Sequence, residues 1–118
     1  MNKAIWIVDD DHAILEVTRI VLEEEGYKVA TVMSEEGLNK MLKTGKPDLF
    51  LLDILLSGSD GRDIAKKLKG NKKTGHIPIV MMSADIRTLE KCGQTLVDDC
   101  IRKPFDIYDL IGKIKKLT

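Results

Sequence analysis

The sequence has few cysteines, prolines and aromatic side chains, and it contains no long hydrophobic run. Its two cysteines, Cys92 and Cys100, are separated by seven residues and form neither a C-x-x-C motif nor a cysteine–histidine spacing typical of zinc sites. We therefore expect a reducing compartment, with neither a disulfide-stapled fold nor a zinc site. The apolar N-terminal stretch meets Asp9 too early for a signal peptide or a membrane span. These absences predict a soluble, cytoplasmic protein with no membrane partner.

Net charge is also lacking, because 19 basic residues balance 19 acidic residues. This balance argues against a nucleic-acid-binding protein that relies on bulk positive charge, since neutralised phosphates dominate such binding. The densest basic stretch, residues 66–73, is expected to be the solvated end of a helix and the loop that follows. We therefore expect no direct contact with nucleic acid.

The length of 118 residues predicts one domain, residues 1–118, whose core needs no disulfide or metal. Apolar runs of strand length alternate along the chain with stretches of helical periodicity. The runs lie at residues 4–8, 28–32, 48–52, 77–82 and 99–102, and the helical stretches at residues 12–25, 35–44, 62–69, 86–96 and 107–117. Three runs are nearly continuous in apolar residues, as parallel strands are when helices cover both faces of their sheet. The pattern predicts a doubly wound α/β domain.

Polar residues follow four of the five predicted strands. Asp9 and Asp10 follow the first strand, and the third, fourth and fifth strands are followed by Asp53, Ser83 and Lys103. In a parallel sheet these positions share one edge, where ligands of such folds bind. Three carboxylates that converge there repel one another, and a divalent cation with a preference for oxygen ligands, above all Mg²⁺, would compensate them.

Each of these residues also has a plainer explanation when it is taken alone. One of the acidic residues 9–11 could cap the first helix, Asp53 could begin a turn, and Lys103 could be a surface lysine. One cap needs only one aspartate, however, and these explanations do not account for the joint placement of all the residues at strand ends. The joint placement favours a functional site.

Five motifs, in their order and spacing, resemble the receiver domains of two-component response regulators, especially stand-alone receivers of the chemotaxis type. The motifs are residues 7–11 (IVDDD), 51–56 (LLDILL), 60–61 (DG), 82–84 (MSA) and 103–105 (KPF). The resemblance covers essentially the whole chain. It implies a flavodoxin-like (βα)5 fold with a five-stranded parallel sheet in the order 2-1-3-4-5.

The resemblance also implies a function in a phosphorelay. Asp53 would accept a phosphoryl group from a sensor histidine kinase or a histidine phosphotransfer protein, and the domain would then change its affinity for a downstream protein that the sequence does not identify. Mg²⁺ would be held by Asp9, Asp10, Asp53 and the backbone carbonyl of Leu55. Ser83 and Lys103 would contact the phosphoryl oxygens. Such a domain is a signalling module whose only chemistry is its own phosphorylation and dephosphorylation, not an enzyme in the ordinary sense.

The chain departs from the family pattern in several places. Residues 56–59 (LSGS) lack the usual proline after the phosphoacceptor, and Cys100 stands where the family has an aromatic residue three positions before the lysine. The interval from Ser83 to Lys103 is about two residues shorter than usual. These departures leave an alternative open, a pseudo-receiver that is never phosphorylated and signals by docking alone, although the complete set of site residues weighs against it. No DNA-binding helix-turn-helix fits after Thr118, so we expect no output domain in this chain.

Overall fold

A computed structural model describes residues 2–56, 58–92 and 96–118, except for the side chains of Ile86 and Thr88. Within these residues the strands are β1 (Ala4–Val8), β2 (Lys28–Val32), β3 (Leu49–Asp53), β4 (Leu55–Leu56), β5 (Ser59–Asp60), β6 (Ile79–Ser83) and β7 (Asp99–Arg102). Five of them form one parallel sheet in the order β2-β1-β3-β6-β7. Counted over these five strands, the order is 2-1-3-4-5, and the doubly wound α/β fold is confirmed.

The described residues form five helices, which are α1 (His12–Glu24), α2 (Glu35–Leu42), α3 (Gly61–Gly70), α4 (Ile86–Glu90) and α5 (Ile107–Leu117). Side-chain oxygens cap the N-termini of α2 and α5, since Ser34 accepts a hydrogen bond from the Gly37 amide and Asp106 accepts from the amides of α5. The fourth helix is shorter than the predicted stretch of residues 86–96, of which residues 93–95 lie outside the described part of the chain.

Two hydrophobic layers cover the faces of the parallel sheet. One layer joins alternate residues of β1 and β3, such as Trp6 and Phe50, to α2 and α3. The other layer joins the intervening residues, such as Ile5 and Leu51, to α1 and α5. The rings of Trp6 and Phe50 meet edge to face with their centroids 6.1 Å apart. Because β3 is buried on both faces, the acidic residue at its end is held in a fixed position.

A short antiparallel hairpin, β4–β5, follows β3 and was not predicted. The sequence indicated at most a turn after Asp53, because strands of two residues have no recognisable alternation. Leu55 is paired with Asp60, and Gly58 has a positive φ of 77°, a conformation that glycine adopts without strain. The hairpin returns the chain directly from β3 to α3.

The two cysteines form a disulfide bond, which corrects the expectation that the chain has none. Cys92 lies two residues beyond α4 and Cys100 lies within β7, and their Cα atoms are 6.1 Å apart. The spacing in the sequence could not reveal this pair, since the crossover from α4 to the edge strand brings the two residues together.

Among the described residues, none of the helices has the length and the apolar character that crossing a bilayer requires.

Candidate functional site

The three aspartates after β1 have separate structural roles. Asp11 caps α1, because its carboxylate accepts hydrogen bonds from the amides of Ala13 and Ile14 at 3.0 and 3.2 Å. Asp9 is fully buried, and its carboxylate accepts a hydrogen bond of 2.9 Å from the Asp11 amide. Helix capping therefore accounts for Asp11. It does not account for the buried carboxylate of Asp9, which needs another explanation.

Asp53 is the last residue of β3 and is 5% exposed. The amide of Ile54 donates a hydrogen bond of 3.0 Å to the carbonyl of Met82 in β6, which continues the ladder past Asp53. Gly61 packs against the backbone of the same turn, since its amide donates to the Ile54 carbonyl at 2.7 Å. A Cβ atom at residue 61 would lie 2.2 Å from the carbonyl oxygen of Asp53. Glycine is therefore required here for the approach of α3 to the acidic residue.

The structure brings Asp9, Asp10 and Asp53 together, as the sequence predicts. One carboxylate oxygen from each of the three lies within 4.8 Å of the others. Three carboxylates this close repel one another, and carboxylate oxygens are the donors that hard divalent cations such as Mg²⁺ take in proteins. We call these three residues the acidic cluster. Its donor set fits a divalent cation.

Lys103 supplies a positive charge to the acidic cluster. Its ammonium nitrogen lies 2.6 Å from Oδ2 of Asp9 and 3.2 Å from Oδ2 of Asp53, and the side chain is 15% exposed. The backbone fixes its position, because the Lys103 amide donates a hydrogen bond of 2.9 Å to the Ser83 carbonyl. The sequence analysis placed this lysine at the same edge but did not anticipate that it pairs directly with the carboxylates.

The electrostatics of the site change the proton affinities of Asp53 and Lys103. Burial, together with the negative charge of Asp9, raises the pKa of Asp53 to about 6, although Lys103 opposes the rise. Burial lowers the pKa of the Lys103 ammonium, but its hydrogen bond to Asp9 and the charges of both aspartates outweigh burial and raise it. At neutral pH the Asp53 carboxylate is therefore mainly ionised and the lysine is positive.

The two remaining candidate residues lie near this cluster. Ser83 is the last residue of β6 and is buried, and its hydroxyl oxygen accepts a hydrogen bond of 3.0 Å from the Asp85 amide. Ser83 follows Met82, which is the register partner of Asp53 across the sheet. Leu55 begins β4 two residues after Asp53, with its side chain 69% exposed. All the predicted site residues therefore come from strand ends or from the turn beside them.

Gly61 is a residue of the site that reasoning from the residues alone did not identify. The sequence singled it out only through the pair Asp60-Gly61, as part of a family resemblance. Its role is steric, because a side chain there would collide with the backbone of Asp53 and Ile54. The pair Asp60-Gly61 is the signal in the sequence for the turn that leads into α3. Asp60 caps this helix by accepting a hydrogen bond of 2.8 Å from the Arg62 amide.

Comparison with known proteins places the chain in a family. The model of the response regulator receiver domain matches residues 5–115. The chain is 35% identical over 117 residues to the phosphate regulon transcriptional regulatory protein PhoB of Pseudomonas aeruginosa, covering 98% of this chain and 51% of that protein. It is also 35% identical to the alkaline phosphatase synthesis transcriptional regulatory protein PhoP of Bacillus subtilis, covering 99% of this chain and 49% of that protein. The chain thus spans about half the length of the curated relatives it matches.

Solved structures agree with this match over nearly the whole chain. The structure of the response regulator TrrA from Thermotoga maritima, in complex with Mg²⁺ and BeF, is 31% identical with a TM-score of 0.87, covering 98% of this chain and 99% of that one. The signal receiver domain of a histidine kinase from Syntrophus aciditrophicus is 29% identical with a TM-score of 0.88, covering 98% and 89%. The family model and these two structures point to the same family, and the structures share the fold of this chain. The chain therefore belongs to the response regulator receiver domain family of two-component systems.

Proposed function

We propose that the protein accepts a phosphoryl group on Asp53 from the phosphohistidine of a histidine kinase or a histidine phosphotransfer protein, and that phosphorylation changes its affinity for a partner protein. The observation that carries this proposal is the acidic cluster with the Lys103 ammonium against it. The carboxylate of Asp53 attacks phosphorus, so that an O–P bond forms while the N–P bond to the histidine breaks. The imidazole nitrogen keeps the electron pair of that bond. The Asp53 carboxylate is available for attack at neutral pH because its pKa of about 6 leaves it mainly ionised.

The other residues act on the charge of the transferred group. Asp9, Asp10, Asp53 and the backbone carbonyl of Leu55 would hold Mg²⁺, which when bound neutralises the negative charge of the phosphoryl oxygens. Lys103 is 3.2 Å from the Asp53 carboxylate and so offers its ammonium to an oxygen of a phosphoryl group on that residue. Ser83, at the neighbouring strand end, offers a hydroxyl donor. Ala84, small and exposed beside it, leaves room for the incoming phosphodonor.

Within this proposal the protein is a signalling domain and its chemistry is self-catalysed transfer and loss of one phosphoryl group. We assign it to the cytoplasm, where a histidine kinase presents its phosphohistidine to such a domain. Since the relatives named as transcriptional regulators are about twice as long as this chain, contact with nucleic acid is not assigned to the receiver domain itself.

Intact-mass measurement tests the proposal. The protein is incubated with Mg²⁺ and a small phosphodonor such as acetyl phosphate, and we expect a labile mass gain of one phosphoryl group. The gain should vanish in Asp53→Asn and with a chelator, and it should persist in Asp48→Asn, a control at an exposed residue that directly precedes β3. A gain that survives in Asp53→Asn would move the acceptor to another residue. No gain in the wild type would favour the docking-only pseudo-receiver.

A further inference from the structure

The disulfide joins the two chain segments that leave the candidate site. One segment runs from Ser83 at the end of β6 through α4 to Cys92, and the other runs from Cys100 along β7 to Lys103. The disulfide connects their far ends across eight residues of sequence. Ser83 and Lys103, the two residues that are proposed to touch the phosphoryl oxygens, therefore lie at the near ends of two segments whose far ends the disulfide joins.

Hydrogen bonds of the sheet join the same two segments at the end near the site. The Lys103 amide donates to the Ser83 carbonyl at 2.9 Å, and Ser83 is the register partner of Arg102. At the other end Cys100 is the register partner of Met81, in the middle of β6. With the sulfur atoms bonded, the chain just beyond α4 is held beside β7, with the Cα atoms of Cys92 and Cys100 6.1 Å apart. With the sulfur atoms reduced, only non-covalent contacts and the peptide chain between the two cysteines restrain it.

The bond is accessible from a surface cleft. Cys92 and Cys100 are both half-buried. Cys100 lines an apolar cleft of about 260 Å³ whose other walls include Ala65, Met81, Leu96 and Val97. A small thiol reaches such a cleft without unfolding the domain, and thiol exchange requires this access.

The proposed cytoplasmic location makes a permanent bond at this position unusual. In the cytoplasm thiol pools keep most cysteines reduced, and disulfides that form there are usually transient and sense redox conditions. The sequence has no third cysteine, so Cys92 and Cys100 can pair within the chain only with each other.

We propose that Cys92 and Cys100 form a reversible redox-modification site whose disulfide restrains α4 against β7, and which a thiol reductant opens to release α4. The effect on signalling rests on the proposed phosphoacceptor function, but the redox chemistry does not. In the reducing step one external thiolate attacks a cysteine sulfur and the S–S bond breaks. A second external thiol resolves the mixed disulfide. The protein gains two electrons and two protons, and the two external thiols become one disulfide.

A redox titration of the folded protein tests the site. The oxidised wild-type chain is equilibrated in buffers of graded reduced-to-oxidised glutathione ratio, quenched with N-ethylmaleimide and weighed intact, with circular dichroism on the same samples. We expect one transition between no alkylated thiol and two, in a monomer that stays folded. The site is refuted if the thiols never pair at any ratio, or if the bond resists reduction until the domain is unfolded in urea.

Amide hydrogen exchange tests the restraint. Reduction should speed exchange about tenfold at residues 86–92 and 99–102 and leave α1 unchanged. The double variant Cys92→Ser/Cys100→Ser is the control, and it should show the fast pattern whatever the glutathione ratio. Equal exchange in the oxidised and reduced wild type would overturn the restraint. Neither measurement uses a phosphodonor, so a failure of the redox site is separable from a failure of Asp53 phosphorylation.

Discussion

Replacing Asp53 with asparagine should stabilise the metal-free protein, although it removes the proposed phosphoacceptor. Asparagine has the shape of a protonated aspartate and no charge, so Asp53→Asn mimics the form of the residue that the buried site prefers. The ionised carboxylate is disfavoured because it is buried and lies beside Asp9, and Lys103 offsets only part of this cost.

The magnitude follows from the proton affinity of the group. The pKa of Asp53 rises from an ordinary value of 3.8 to about 6, and a tenfold change in proton affinity corresponds to about 1.4 kcal/mol, so ionisation at pH 8 costs the folded state up to about 3 kcal/mol. Because its pKa is raised, the Asp53 carboxyl binds a proton more tightly in the folded state, and this adds stability below pH 3.8, the ordinary pKa of the group in the unfolded chain. The contribution is lost as the pH rises through about 6, the pKa in the folded protein. The advantage of Asp53→Asn should therefore be about 0.5 kcal/mol at pH 4, grow between pH 4 and 6, and reach between about 1 and 3 kcal/mol at pH 8.

Urea denaturation between pH 4 and pH 8, in buffer with a metal chelator, measures this difference in the free energy of unfolding. Glu24→Gln, which neutralises an exposed carboxylate of α1, is the matched control and should change stability by less than about 0.5 kcal/mol at every pH. The reasoning is refuted if Asp53→Asn is no more stable than the wild type at pH 8. An advantage that is the same at pH 4 and pH 8 would refute it as well.

Three further predictions concern metal binding, close packing and the disulfide. Mg²⁺ at a hundred times its dissociation constant should stabilise the wild type by about 2.7 kcal/mol in thermal unfolding, and an equal gain in Asp10→Asn would contradict the acidic cluster as the binding site. Gly61→Ala should lower the free energy of unfolding by about 1 to 3 kcal/mol because its Cβ would meet the Asp53 backbone. By contrast Gly112→Ala, with nothing within 4 Å, should raise it by about 1 kcal/mol, and urea denaturation that gives the two variants effects of the same sign would contradict the contrast between the two sites. Dithiothreitol should lower the urea stability of the wild type by about 2.5 kcal/mol, because an eight-residue separation closes a short loop, and a similar loss in the cysteine-free variant would show that the disulfide is not the cause.

The main architecture could be predicted from the sequence because its strands carry strong local signals. The continuous apolar run of β3 and the glycine after α1 give the position of these elements to within one or two residues. The hairpin β4–β5 and the length of α4 could not be predicted, since both depend on packing around very short segments. The Cys92–Cys100 disulfide was missed for the same reason, because tertiary structure alone brings a helix end to an edge strand.

The candidate site could be predicted as a set of residues but not as an arrangement of charges. Parallel strands bring their carboxyl ends to one edge, and this rule alone placed Asp9, Asp53 and Lys103 together. It gave no distances, and so it did not reveal that the lysine lies 2.6 Å from Asp9. The division between Asp11 as a cap and Asp9 as a buried carboxylate likewise depends on where α1 begins.

The direct pairing of Lys103 with Asp9 and Asp53 sets the charge that a bound ion would have to balance. The acidic cluster and the lysine contain three carboxylates and one ammonium group, so their formal charge is two negative units. One divalent cation brings this charge to zero, whereas a potassium or sodium ion leaves half of it and a trivalent ion reverses its sign. The internal lysine thereby leaves the site with a charge that one divalent cation would balance.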